Sequence, residues 1–291
     1  MPYNVKDFTW GYEIEWGDID RRLTVPAELG KWEYAETDIV NLQEPYKYVA
    51  CDPLGTSPPM GGEINTVPTR TLESQVDRIM TLHAFFEQNG NIPSAACVNH
   101  GHLHVFVPGL KEDLSALKKL IAYIKANQKD TIEACYGFKE YPEMKQCKNA
   151  KMYLKYDGGR EMPDYMSDNI VNLAKDFDHF IRLHAAGKDG VSMGRPFRYA
   201  INTYCMKHTG TLEFRCFRSS TNKAEIEACF RFAERFVAAA LNDGPSVKEI
   251  LSAEQFNFPA FVWNINEYSG WVRTKWDKER GNKKREYVAI T

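Results

Sequence analysis

The chain has 291 residues, 43% of them apolar, with 37 Lys and Arg against 39 Asp and Glu and a formal charge of -2. Such length and apolar content exclude global disorder, and the near balance of charge removes any whole-molecule electrostatic case for a nucleic-acid or anionic-membrane partner. Seven cysteines, an odd number without a close CxxC pair, suit neither a disulfide framework nor a thiolate zinc site. With an N-terminus that acquires acids at once and no apolar run of spanning length, they predict a soluble, cytoplasmic protein.

The first periodic segment, 8–16, alternates as an extended chain does: Gly11, Glu13 and Glu15 share one side, and Tyr12, Ile14 and Trp16 the other. From 18 to 68 the pattern breaks repeatedly at Gly, Pro, Asp and Asn, as in short strands joined by ordered loops. Its last part brings in Gly61-Gly-Glu-Ile64. Leu72, Val76, Ile79, Met80, His83 and Phe86 then mark a helical stripe over 72–88, on which His83 reads as a hydrogen-bonded residue at the core edge.

Residues 95–107 predict another strand, with Val98, His100, His102, His104 and Phe106 on one face. A second helix follows through Leu114, Leu117, Ile121 and Ile124 and is expected to stop at the polar run 127–130. The stretch 136–163 has no sustained periodicity and reads as a lid or substrate loop. A third helix is predicted over 168–184, through Ile170, Leu173, Phe177, Phe180, Ile181 and His184. Two strands at 193–201 and 208–217 come next. In the latter, Thr211, Glu213, Arg215 and Phe217 face one way and Leu212, Phe214 and Cys216 the other. A helix from Asn222, capped by that residue with Glu225 three positions on, runs through Ile226, Phe230, Ala233, Val237 and Leu241. No fixed-period repeat or flexible linker divides the chain, so one α+β domain with antiparallel strands over 1–291 is the expected organisation, with helices and the lid or substrate loop inside 111–190.

Glu13 and Glu15, two apart on a strand, can chelate a hard cation that bridges phosphate oxygens, although a solvated acidic strand face has the same pattern. His100, His102 and His104 alternate on one strand and suit metal binding or phosphate positioning, with surface histidines as the plain alternative. Glu213 and Arg215 fit metal-bound nucleotide and a developing acyl phosphate, or a simple cross-strand salt bridge. Arg195 and Arg198 bring further positive charge to phosphates, or are ordinary surface arginines.

Taken in order, Gly11-Tyr-Glu-Ile-Glu15, Gly61-Gly-Glu-Ile64, His102-Leu-His-Val105 and Thr211-Leu-Glu-Phe-Arg215 resemble the amidoligase family. They resemble more distantly the glutamate-cysteine ligase and glutamine synthetase superfamily of carboxylate-amine ligases. The resemblance implies a glutamine synthetase-like catalytic domain, a curved antiparallel sheet backed by helices, whose concave face binds ATP and Mg2+ or Mn2+. It implies metal ligands at Glu13, Glu15, Glu63, His104 and Glu213, and catalytic roles for Glu63, Glu213 and Arg215. It also implies nucleotide or substrate contacts at His102, Arg195, Arg198 and Asn202. The implied reaction joins a carboxylate to an amine through an acyl phosphate, either substrate being a small molecule or borne by a peptide or other macromolecule, with no membrane or nucleic-acid partner.

The residues by themselves leave two rivals. One is a histidine/carboxylate-dependent metallohydrolase or oxygenase using His100, His102 and His104 with glutamates. The other is a non-catalytic nucleic-acid or protein-binding domain built on aromatic residues and the basic strip at 273–285.

Overall fold

The structure, a computed structural model, describes residues 3–20, 24–32, 60–89, 98–135, 160–186, 199–217, 220–259, 273–275 and 286–288, with backbone alone at 15–20, 31–32, 60–63, 98–100, 273–275 and 286–288. The chain divides into two compact units, Met1–Pro259 and Ala260–Thr291.

The first unit is α+β, an antiparallel sheet packed against helices. Its strands are β1 (Thr9–Asp20), β2 (Gly30–Trp32), β3 (Met60–Thr66), β4 (Val98–Phe106), β5 (Ile201–Asn202) and β6 (Thr211–Phe214). They form a six-stranded sheet in the order β2-β3-β1-β4-β6-β5, and every neighbouring pair is antiparallel. Among the described residues the α-helices are α1 (Leu72–Gln88), α2 (Leu114–Cys135), α3 (Asp164–Leu173), α4 (Phe177–His184), α5 (Lys223–Leu241) and α6 (Val247–Ala253). In the second unit, β7 (Arg273–Lys275) pairs antiparallel with β8 (Glu286–Val288). Among the described residues, no helix is long and apolar enough to cross a membrane.

The alternation in β1 and β4 divides the sheet into two unlike faces. Trp10, Tyr12 and Ile14 of β1, Leu103 and Val105 of β4, and Leu212 and Phe214 of β6 are all buried on the apolar side. Helix α5 covers them. Phe230 meets Trp10 at 5.9 Å and Tyr12 at 5.6 Å between ring centroids, and Phe236 meets Phe214 edge-on at 5.4 Å. Helices α1 and α2 in turn pack against α5.

Gly101 is required by this packing. The Tyr12 side chain lies over it so closely that a Cβ there would come within 1.8 Å of the phenol oxygen. Where β3 ends, the Thr66 hydroxyl accepts from the Tyr12 amide at 2.9 Å and donates to the Tyr12 carbonyl at 2.8 Å. A side chain there takes over the ladder bonds that a neighbouring backbone would make.

The helix expected at 72–88 is α1, capped by the Thr71 side chain, and His83 is buried within it. Asn222 caps α5 through the Ala224 amide, whereas Glu225 takes the Ser220 hydroxyl and does not reach back to the cap. A capping box forms instead at α6, where Ser246 pairs with Glu249.

Three expectations are corrected. Helix α2 does not stop at 127–130 but continues to Cys135, because the polar side chains of Asn127 and Gln128 are buried and bonded. The Asn127 amide donates to the Tyr123 carbonyl at 2.9 Å and accepts from the Val247 amide at 2.9 Å. Gln128 holds both backbone groups of Met162, at 2.9 and 2.7 Å. The helix expected at 168–184 is two helices, α3 and α4. Asp176 starts the second by accepting from the His179 amide at 2.7 Å, and Leu173 at the break is 51% exposed. The strand expected over 208–217 is only β6. Beyond Arg215 the alternation fails, and Phe217 stacks on Phe214 at 5.8 Å instead of sharing a face with Glu213.

The lid or substrate loop lies outside the described residues over 136–159, as do Arg195, Arg198 and the 193–198 part of the strand expected at 193–201.

Candidate metal centre

The face of the sheet opposite α5 carries the polar cluster, and strand register assembles it. Glu13 of β1 stands opposite His102 of β4, His104 opposite Glu213 of β6, and Glu213 opposite Asn202 of β5. Residues up to 109 positions apart in sequence thus become direct cross-strand neighbours, which brings Cβ atoms to about 5 Å.

Glu13 uses its two carboxylate oxygens separately. Oε2 lies 3.0 Å from His102 Nδ1, and Oε1 lies 2.9 Å from His104 Nε2. His104 Nδ1 is bonded at 2.8 Å to Thr211 Oγ1. Glu213 Oε2 accepts from the Asn202 amide at 2.6 Å, while Oε1 is paired with the Arg215 guanidinium. Arg215 Nη1 lies 3.3 Å from His102 Nδ1, so the two ion-pairing groups and both imidazoles form one connected set. Glu213 is 4% exposed and Arg215 3% exposed, so their pairing is an interior one and not a surface salt bridge.

Burial would raise the Glu13 carboxyl, but the imidazoles of His102 and His104 hold it well below the ordinary carboxylate range. Burial would lower His104, yet the Glu13 and Glu213 carboxylates beside it raise its pKa. For Glu213 burial also acts upward, and Arg215, then His102 and His104, bring it below the ordinary value.

One ligand atom each from Glu13, His104 and Glu213 lies within 4.8 Å of the others, the spacing of a site able to hold a metal ion. The fit is supported by His104 Nε2, which is buried and, despite its proximity to Glu13 Oε1, makes no aligned N–H···O bond. Two carboxylates and an imidazole are a donor set for a hard or borderline divalent ion.

Of the residues singled out in the sequence, the structure brings together Glu13, His102, His104, Asn202, Glu213 and Arg215. Glu15 and Glu63 are opposite each other in the β1–β3 pairing. Their side chains, and that of His100, are outside what is described. Sequence reasoning passed over the roles of Thr211, Thr209 and Cys205. Thr211 had a legible signal, since it lies two residues before Glu213 on the same strand face. Thr209 and Cys205 precede the strand and are brought in by a turn at Gly210, whose φ of 76° is the left-handed conformation open to glycine. Comparison with protein families, curated proteins and solved structures finds no match for the chain.

Proposed function

We propose that this protein is a divalent-metal-dependent hydrolase acting on a substrate with a carboxylate or phosphate group. The observation that carries this reading is the buried convergence of Glu13, His104 and Glu213, with His104 Nε2 lacking an aligned hydrogen bond. A divalent cation held there supplies Lewis acidity, polarising a carbonyl or phosphoryl oxygen and making water a stronger acid. The protein's own groups do the rest. His102 fixes the orientation of Glu13 through Oε2, and Asn202 with Arg215 fixes that of Glu213. With both imidazoles neutral, the two carboxylates and the guanidinium leave one net negative charge, which a dication reverses. The loaded site then favours an anionic group, and the low dielectric of the interior strengthens that preference.

A second reading, an ATP-dependent carboxylate-amine ligase with a glutamine synthetase-like curved sheet, is favoured by one specific feature. The Arg215 guanidinium adjoins the Glu213 carboxylate beside the cluster, on strands that carry the motifs resembling the amidoligase family. In this reading Mg2+ or Mn2+ accompanies ATP, and Arg215 offsets charge as an acyl phosphate forms. Glu15 and Glu63 add carboxylates, while Arg195, Arg198 and Asn202 contact phosphates or substrate.

Calorimetric titration of the metal-free protein with Mg2+, Mn2+, Zn2+ and Fe2+ comes first, followed by assays against amide, ester and phosphoester panels. Hydrolysis without nucleotide that disappears in Glu13→Gln supports the hydrolase. Amine-dependent release of ADP with an amide product transfers the assignment to the ligase, and Fe2+-dependent O2 consumption to an oxygenase. A wild-type protein that binds none of these ions overturns the metal site itself.

A further inference from the structure

We infer that the sheet beside the metal centre holds an apolar group of the substrate over Gly11, so that the substrate is an anionic group carried on an apolar body; this rests on the metal-site reading above. Gly11 stands inside β1, two residues before Glu13 on the same face and directly opposite His104. Its φ is not in the left-handed region. Among the described residues, a Cβ built on it would meet only His104 Cβ, at 3.6 Å, which is an ordinary contact. Gly101 differs, because there the Tyr12 side chain excludes any Cβ. Neither backbone conformation nor the described packing calls for glycine at position 11, although a glycine within a strand costs stability. The other use of a strand glycine is to let a ligand come close to the backbone.

The surroundings of Gly11 are open and apolar. Tyr12 is held to Thr66, whose hydroxyl bonds both its amide and its carbonyl, and Trp10 is held to Thr69 by two backbone bonds of 2.7 and 2.8 Å. Two residues, Val67 and Pro68, therefore lie opposite the single residue Gly11, a bulge of the kind that borders binding sites. Both are exposed. Phe106 follows His104 by two positions on the same face of β4, opposite Thr9 and Thr211. Among the described residues the exposed large apolar side chains are Val67, Phe106 and Leu173, so two of the three border the strip that leads to the metal centre.

The slot thus has bare backbone as its floor, Val67 and Pro68 along one side, His104 along the other and Phe106 near its outer end. Glu13 and His104 close the inner end, so a group lying over Gly11 carries its anionic end to the cation. Covering about half of the roughly 150 Å2 of an aromatic ring, at about 25 cal/mol per Å2, amounts to about 20-fold in affinity.

Calorimetry on the Mn2+-loaded protein tests this by comparing phenyl phosphate with inorganic phosphate, each variant's own phosphate affinity serving as its reference. The wild type should prefer phenyl phosphate by about 20-fold. The preference should shrink in Gly11→Ala and in Phe106→Ser and vanish in Gly11→Val, whose branched side chain fills the slot and suits a strand. The urea midpoint of Gly11→Ala should be no lower than that of the wild type. Equal affinities for the two phosphates in a wild-type protein that binds Mn2+ overturn the inference and leave the metal centre standing. An unchanged preference in Gly11→Val also overturns it, as does a lowered midpoint in Gly11→Ala, which would give the glycine a structural purpose. Benzyl alcohol, a neutral probe, separates the two readings from the other side. Shifts of the Gly11, Val67 and Phe106 amides in metal-free wild type that disappear in Gly11→Val support the slot even in a protein that binds no ion, and the absence of both ion binding and these shifts defeats both.

Discussion

Replacing Glu213 by Gln tests the centre where its charges are most deeply buried. The wild-type carboxylate accepts from two donors at once, the Asn202 amide at Oε2 and the Arg215 guanidinium at Oε1. Glutamine offers one acceptor oxygen, and its amide nitrogen would then face whichever donor is left over. Asn202 cannot simply turn its oxygen round to meet it, because Asn202 Oδ1 already accepts from the Tyr204 amide at 3.1 Å. Arg215, 3% exposed, loses the carboxylate charge that Glu213 sets against its guanidinium. Breaking a buried pair from one side costs about 3–5 kcal/mol, whereas an exposed pair such as Lys223 with Asp77 contributes less than about 1 kcal/mol. Urea unfolding followed by tryptophan fluorescence should therefore show Glu213→Gln destabilised by about 3 kcal/mol, and calorimetry should show weakened Mn2+ binding. In the double variant Glu213→Gln/Arg215→Met the buried cation is gone as well, so part of the stability should return while metal binding does not. Wild-type stability and affinity in the single variant would refute this account of the cluster.

Further outcomes follow from the interior. His184 is neutral in the fold, with Nδ1–H donating to the Phe180 carbonyl at 2.9 Å and Nε2 accepting from Thr203 Oγ1 at 2.5 Å, and burial lowers its pKa from 6.5 to about 4. The folded state thus binds fewer protons than the unfolded one. Its contribution is complete above pH 6.5 and falls by roughly 3 kcal/mol as the pH drops toward 4. His83, also lowered to about 4 by burial, acts in the same window, so His184→Gln should reduce the stability slope between pH 6.5 and 5 without abolishing it, and an unchanged slope would contradict the assignment. Gly101→Ala drives a methyl into the Tyr12 side chain and should cost about 1–3 kcal/mol, with part recovered in Gly101→Ala/Tyr12→Leu; a neutral urea midpoint for the single variant would argue against that packing. Asn127→Leu removes the acceptor for the buried Val247 amide at the start of α6 and should lower stability by about 1–3 kcal/mol, checked by the same unfolding curves and by faster exchange of that amide.

What the sequence by itself determined was the local pattern. Period-two alternation in 8–16 and around His102 and His104 already separated a polar face from an apolar one, and the stripes at Leu72 and Ile226 located α1 and α5. It also placed Glu13, His104 and Glu213 among the candidates, because a residue's parity on a strand is a short-range property of the backbone. Tertiary structure decided what those residues do. Only strand register makes Glu13, His102, His104 and Glu213 neighbours, and only burial separates the Glu213–Arg215 pair from a surface salt bridge.

The same physics explains the errors. Asn127 and Gln128 read as a polar stop because a side chain bonded inside the protein and one bonded to water have the same letter. Their partners, Val247 and Met162, are 120 and 34 residues away. The Thr211–His104 contact was hidden for a related reason: it depends on the pairing of β4 with β6, which brings side chains 107 positions apart to 2.8 Å.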